Sequence, residues 1–168
     1  MVKVKKNFSF KRAAFLINKN IADSLNLMAV YQNEAIQRGI ANKTDINGKR
    51  FDPLKESTLQ IRNKRKQGFT PLDRMKGERA KKLRNTKIEK ATQGKLISKV
   101  KMMTDYGVFH NEGFTTSSNS MIPNKKVPAR KWFGISKEMR SGGKQHEKFI
   151  RMALFKIQRS LAKFNANT

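Results

Sequence analysis

The sequence contains no cysteine. That excludes disulfide frameworks, cysteine-based zinc sites and thiol nucleophiles together, and it fits a reducing cytoplasm. His110 and His146 are the only histidines, too few for a transition-metal site unless carboxylates join them. Acidic residues are also scarce, 12 Asp and Glu against 38 Lys and Arg. No apolar run approaches the ~18 residues of a membrane-spanning helix. The basic start, Met1-Val2-Lys3-Val4-Lys5-Lys6, is not followed by the apolar segment and cleavage site of a signal peptide. Neither a Gly-x-x-x-x-Gly-Lys loop, a Gly-x-Gly-x-x-Gly turn nor a Gly-x-Ser-x-Gly elbow occurs, so nothing points to nucleotide hydrolysis or a serine nucleophile. The expectation is a non-enzymatic chain with no cofactor, no metal and no membrane partner.

What the chain has in excess is positive charge, a formal +26. Magnitudes of about 2–8 are comfortable for a small domain. A charge this large repels itself and is relieved by a polyanion: nucleic acid, an anionic membrane or an acidic protein surface. From Lys55 to Lys90 there are 13 basic and 4 acidic side chains. Arg62, Lys64, Arg65 and Lys66 form one cluster, and Arg79, Lys81, Lys82 and Arg84 a second. These eight are the candidate DNA-facing residues. Lys125, Lys126, Arg130 and Lys131 make a third cluster. Any one such run is commonly just a solvated face; together with the overall charge they favour salt-sensitive contact with DNA or RNA phosphates. Base reading is not supported, because there is no helix-turn-helix signature and few aromatics interleave with the basic clusters.

A length of 168 residues suits a single domain, 1–168, with flexible arms at 1–8 and 165–168. Phe10, Ala14, Ile17, Ile21, Leu25, Met28, Tyr31 and Ala35 recur at helical spacing and predict a long helix from Phe10 to Arg38. Gly39 stands where a stop belongs, and Asn42 to Gly48 is rich in turn formers. A short polar helix is expected over Lys55–Lys66, with Ser57 or Thr58 near its cap, and a second over Leu72–Leu83. The period then changes. Lys87–Ala91 and Lys95–Met103 alternate apolar and polar residues, which predicts a β-hairpin with Leu96, Ser98, Val100 and Met102 on one face. A helical turn over Asp105–Asn111, a flexible loop over Thr115–Ser120 and an extended stretch over Val127–Ser136 follow. Phe149, Ile150, Ala153, Leu154, Ile157 and Leu161 give a closing helix over Gly143–Lys163. The class is α+β: a long N-terminal helix, a small antiparallel sheet with a β-hairpin, and a C-terminal helix packed on the sheet.

His110 lies between Asp105 and Glu112, which admits metal-dependent nuclease chemistry in principle; the plainer reading is a partly buried histidine bonded to nearby backbone. Trp132 and Phe133 are adjacent, so in an extended segment one faces the core and the other faces out as an anchor for a partner. The alternative is that loops bury both.

Several stretches recur in a known order. Phe51, Pro53-Leu54, Thr58 and Arg62 follow the Asn47-Gly48 turn; Tyr106, Gly107, His110 and Gly113 come next; Pro128, Ala129, Arg130, Trp132, Phe133 and Gly134 close the series. In these features the chain resembles the phage virion morphogenesis family, the tail-completion and neck proteins of Mu-like and other long-tailed phages. The family's Tyr-small-x-x-His-x-x-Gly stretch is matched directly. In its Pro-Ala-Arg-x-Phe-x-Gly stretch, Trp132 replaces the phenylalanine. Leu72 and Met75-Lys76-Gly77-Glu78-Arg79 depart from the family's Thr-Gly-x-Leu element. The resemblance spans Ile46 to Ser136.

The resemblance implies a structural virion protein, made in the host cytoplasm and carried in the phage neck. It implies a homo-oligomeric ring at the head–tail junction, a hexamer first and a dodecamer second. Its neighbours would be head-completion or adaptor proteins and a tail terminator, with genomic DNA held without sequence preference in the lumen. Six copies would together carry about +156, tolerable only beside a polyanion or acidic neighbours. The long helix and the Trp132-Phe133 region are the expected subunit contacts. The competing reading is a free, sequence-nonspecific nucleic-acid-binding protein.

Overall fold

A computed structural model describes residues 9–65, 86–104, 106–120 and 122–166. The chain divides into two compact units: Met1–Tyr31 with Ile88–Lys99 and Glu138–Thr168, and Gln32–Lys87 with Val100–Lys137. The arm expected over 1–8, the helical piece over Leu72–Leu83, and the last two residues lie outside the described residues. Asn165 and Ala166, expected in an arm, belong to the final turn of the closing helix.

Helix α1 runs Phe10–Ala41, about 48 Å at 1.5 Å per residue. Ser9 precedes it, its Oγ accepting the Arg12 N–H at 3.4 Å. Gly39 does not stop it. The helix ends two residues later in a left-handed cap, with Lys43 at φ 59°, Lys43 N–H donating to Ile40 O at 3.2 Å and Thr44 N–H to Gly39 O at 2.8 Å. A glycine usually occupies this position. The Asn42–Gly48 turn then forms around Asp45, whose Oδ1 accepts the Asn47 and Lys49 N–H groups at 2.8 Å each. Lys55 O, not a side chain of Ser57 or Thr58, receives the first N–H groups of α2, Glu56–Lys64.

The buried line of α1 is rotated from the expected one. Ala13, Ala22, Ala29, Ile36 and Ile40 are buried, with Ser24 and Gln32 among them, whereas Phe10 is 81% exposed. Ile17, Ile21, Leu25, Met28, Tyr31 and Ala35 are half-buried and Ala14 is exposed. The reason lies in what flanks the helix. In the first unit Asn20 Nδ2 donates to Ser160 Oγ at 3.0 Å on one side. Asn26, about 240° further round, clamps Ala91 through both its amide atoms at 2.7 and 3.1 Å. Alanine at 22 and 29 gives the neighbours close approach, so the deepest positions carry the least apolar area.

Strands β1, Thr86–Glu89, and β2, Lys99–Met102, form the expected antiparallel hairpin, which narrows through a Thr92–Lys95 bridge. The alternation holds at Ser98, Val100 and Met102, half-buried between exposed Lys99, Lys101 and Met103. In the second unit Thr86 Oγ1 bonds Asn33 and Gln37 of α1. Helix α3 follows at Tyr106–Glu112. A second hairpin was not expected: β3, Phe114–Thr115, pairs antiparallel with β4, Lys126–Val127. The Thr115–Ser120 segment is therefore anchored at its start, where Thr116 Oγ1 also accepts the Lys125 N–H at 2.8 Å. Two-residue strands are too short for alternation to reveal them.

After a 3-10 turn at Lys137–Met139, helix α4 runs Lys144–Ala166 and completes the α+β arrangement, packed in the first unit against α1. It meets α1 through Phe149, whose ring stands edge-on to Tyr31 at 5.6 Å, and Phe164, which lies 5.6 Å beneath the Arg12 guanidinium. Of its predicted face, Phe149 is buried and Ala153, Ile157 and Leu161 are half-buried. Ile150 and Leu154, 44% and 55% exposed, stand at the rim of that stripe.

Candidate functional site

Residues Phe51 to Gly134 of the ordered stretches named above lie in the second unit. Its core is Ile36, Ile40 and Trp132, with Phe51, Val100, Met102 and Phe133 packed on it. Trp132 is 1% exposed, its Nε1–H donating to Gly107 O at 3.3 Å. Phe133 stands edge-on to it at 5.5 Å and is half-buried. Trp132 is therefore a core side chain, and Phe133 packs against it while remaining half-exposed.

Four hydrogen-bond systems lock the 127–137 segment to its surroundings. Arg130 N–H donates to His110 O at 2.9 Å, and Phe133 N–H to Asn111 Oδ1 at 3.0 Å. Ile46 N–H donates to Lys131 O at 2.9 Å while Ile46 O accepts from Lys137 N–H at 3.0 Å. Gln32, buried in α1, gives its Nε2–H to Gly134 O at 2.7 Å and takes the N–H and hydroxyl of Ser136 on Oε1 at 3.1 Å each. Gly113 has φ 78°, and a Cβ there would sit 2.7 Å from Ala129 N and 2.9 Å from Val127 O. Gly113 is thus a close backbone crossing that no other residue permits. Gly107 differs in kind: a Cβ there would meet the flexible Met102 side chain, which can move aside, and not backbone. Pro128 and Ala129 are exposed, and Tyr106 opens α3. Pro53 is exposed and Leu54 half-buried at the edge of a surface hollow.

His110, Arg62 and Arg130 are brought together. Arg62 and Arg130 are each 8% exposed, which corrects the placing of Arg62 among DNA-facing side chains and removes Arg130 from the third surface cluster. Burial lowers the His110 pKa from its ordinary value, and the charges of Arg130 and then Arg62 lower it further. Burial also lowers the Arg130 pKa, an effect that nearby Asp52 opposes. The positive charge of the two guanidiniums beside His110 disfavours a metal cation at this place. Among the described residues no group of three His, Asp or Glu side chains is placed to hold a metal ion. Glu112 is exposed, and Asp105 lies outside the described residues.

Of the DNA-facing candidates, Lys64 and Arg65 are exposed at the end of α2. Lys66, Arg79, Lys81, Lys82 and Arg84 lie outside the described residues. Lys126 and Lys131 are also exposed. Among the described residues no helix is long and apolar enough to cross a membrane. Nothing local in the sequence marks Asn111 or Lys43 as a structural partner. Gln32 had a signal: it falls in phase with Ala29, Ile36 and Ile40, where a polar residue requires a fixed partner.

Comparison with protein-family models, with curated proteins and with solved structures found no match to this chain.

Proposed function

We propose that this chain is a structural subunit of a tailed-phage particle, a neck or tail-completion protein that assembles as a homo-oligomeric ring at the head–tail junction and turns over no substrate. One observation carries the reading. Phe51, Gly107, His110, Gly113, Arg130, Trp132 and Gly134, far apart in sequence and the residues on which the proposed resemblance rests, serve a common framework in the second unit. Their roles there are architectural: a core indole, a close backbone crossing at Gly113 and a buried guanidinium. That is what an assembly protein needs, and it offers no nucleophile or acid–base pair. The +26 charge supports a surface facing DNA, with exposed Lys64, Arg65, Lys126 and Lys131 available for phosphate contact without sequence reading.

Electron microscopy of assembled particles, and of the purified protein at low and high salt, tests it. A closed ring at the neck is the expected result; a monodisperse monomer with no density at the head–tail junction refutes it. The excess charge also favours a second reading, a free nonspecific nucleic-acid-binding protein. That reading requires tight duplex binding by the monomer or dimer, with log affinity falling by about 0.9 per phosphate contact per log unit of salt. Replacing Lys64 and Arg65 with serine would then weaken function directly, whereas ring assembly would survive the change.

A further inference from the structure

The second unit carries a hollow and a projection of opposite character. The hollow, about 510 Å³, opens beside the C-terminal end of α1, the turn after it and α2. Phe51, Pro53, Leu54 and Leu59 supply its apolar lining, and Lys43 and Arg50 are its charged groups. Lys43 holds its place in the left-handed region, φ 59°, where glycine would be at ease. The Thr44–Arg50 bridge fixes Arg50 across the same turn.

The projection is the exposed face of α3. Val108, Phe109 and Glu112 fall within about 100° of the helix circumference, with Glu112 between the other two. Val108 is 48% and Phe109 56% exposed, and Glu112 is exposed. Phe109 is braced edge-on by Phe114 at 5.9 Å, so it loses little freedom on docking. Among the described residues Glu112, Lys43 and Arg50 form no ion pair. Two apolar side chains around a carboxylate complement an apolar floor beside two cations.

We propose that α3 of one copy docks into this hollow on a second copy, Phe109 against the apolar floor and Glu112 toward Lys43 and Arg50. The inference rests on the ring reading and supplies it with a head-to-tail contact, the kind that closes a ring. A second copy is the occupant because every chain presents both complementary halves, a carboxylate between exposed apolar side chains and two cations beside an apolar floor.

The test is sedimentation velocity of the full chain over a concentration and salt series. Phe109→Ala is expected to raise the subunit dissociation constant about 30-fold, as loss of a central aromatic anchor does. Glu112→Lys alone, or Lys43→Glu with Arg50→Glu, is expected to abolish assembly, and all three together to restore it. Every altered side chain is exposed, and the fluorescence of buried Trp132 verifies folding in each variant. Assembly that persists through the one-sided reversals, or that the combined variant fails to recover while folded, overturns the docking and leaves the ring reading intact. One-sided variants that still form rings but lose an acidic particle protein overturn it in favour of that partner. A wild-type chain that never assembles overturns both.

Discussion

Replacing Gln32 by methionine isolates the clamp that holds the 134–136 segment. The substitution keeps length and approximate volume at a position 8% exposed and removes the donor to Gly134 O and the acceptor for both Ser136 groups. Each bond contributes about 1 kcal/mol net, and the carbonyl and N–H left behind are poorly placed to regain partners. The expected loss is about 3 kcal/mol, which for a chain this size lowers Tm by roughly 6–12 °C. Ser136→Ala removes one of the three bonds and should cost about 1 kcal/mol. Urea unfolding followed by tryptophan fluorescence is the natural assay, because Trp132 is the single tryptophan and lies in the same unit. The clamp reasoning fails if Gln32→Met stays within about 0.5 kcal/mol of wild type, or if the two variants lose equal stability.

Three further outcomes are expected. Gly113→Ala, at φ 78° and against the backbone of Val127 and Ala129, should leave little folded protein, whereas Gly94→Ala, with nothing within 4 Å, should be nearly neutral; soluble yield and thermal melts distinguish them. Because the folded-state pKa of His110 is lowered, the unfolded chain binds the extra proton first and stability falls as pH drops below about 6.5. The slope lies under a ceiling of about 1.4 kcal/mol per pH unit, reduced by partial exposure and salt, and His110→Gln should flatten it in urea titrations at stepped pH. Lys43→Gly should stabilise the chain by about 1 kcal/mol by removing the left-handed strain while weakening self-association, so melting temperature and sedimentation should move in opposite senses.

The long helix and the first hairpin were legible because their patterns are long: an uninterrupted helical period from Phe10, and strict alternation from Ser98 to Met103. The rotated face of α1 was not, because Ala22 and Ala29 are buried for their smallness and carry little hydrophobic signal. Gly39 was misread as a stop because the cap is a backbone conformation, and here Lys43 adopts it. Gly113 and Trp132 stand out by residue type and spacing, but their architectural role appears only once the 127–134 segment crosses α3. Arg62 and Arg130 looked like surface charge for the same reason. Their burial depends on segments from Phe51, α2, α3 and the 130 region meeting, and local sequence holds no record of that.

The Asn26 clamp has a kinetic consequence. Its two bonds to Ala91 join residues 65 apart in the chain, and closing a loop of that length costs an entropy of about 4 kcal/mol before either bond forms. The helix and the hairpin turn are each local structures that form in about a microsecond or a few; their union waits on that closure. Asn26→Ala should therefore leave the refolding arm of a chevron nearly unchanged and raise the unfolding rate by about the full loss of stability. The amide of Ala91, protected by a side chain instead of a neighbouring strand, should exchange with deuterium on the timescale of that separation.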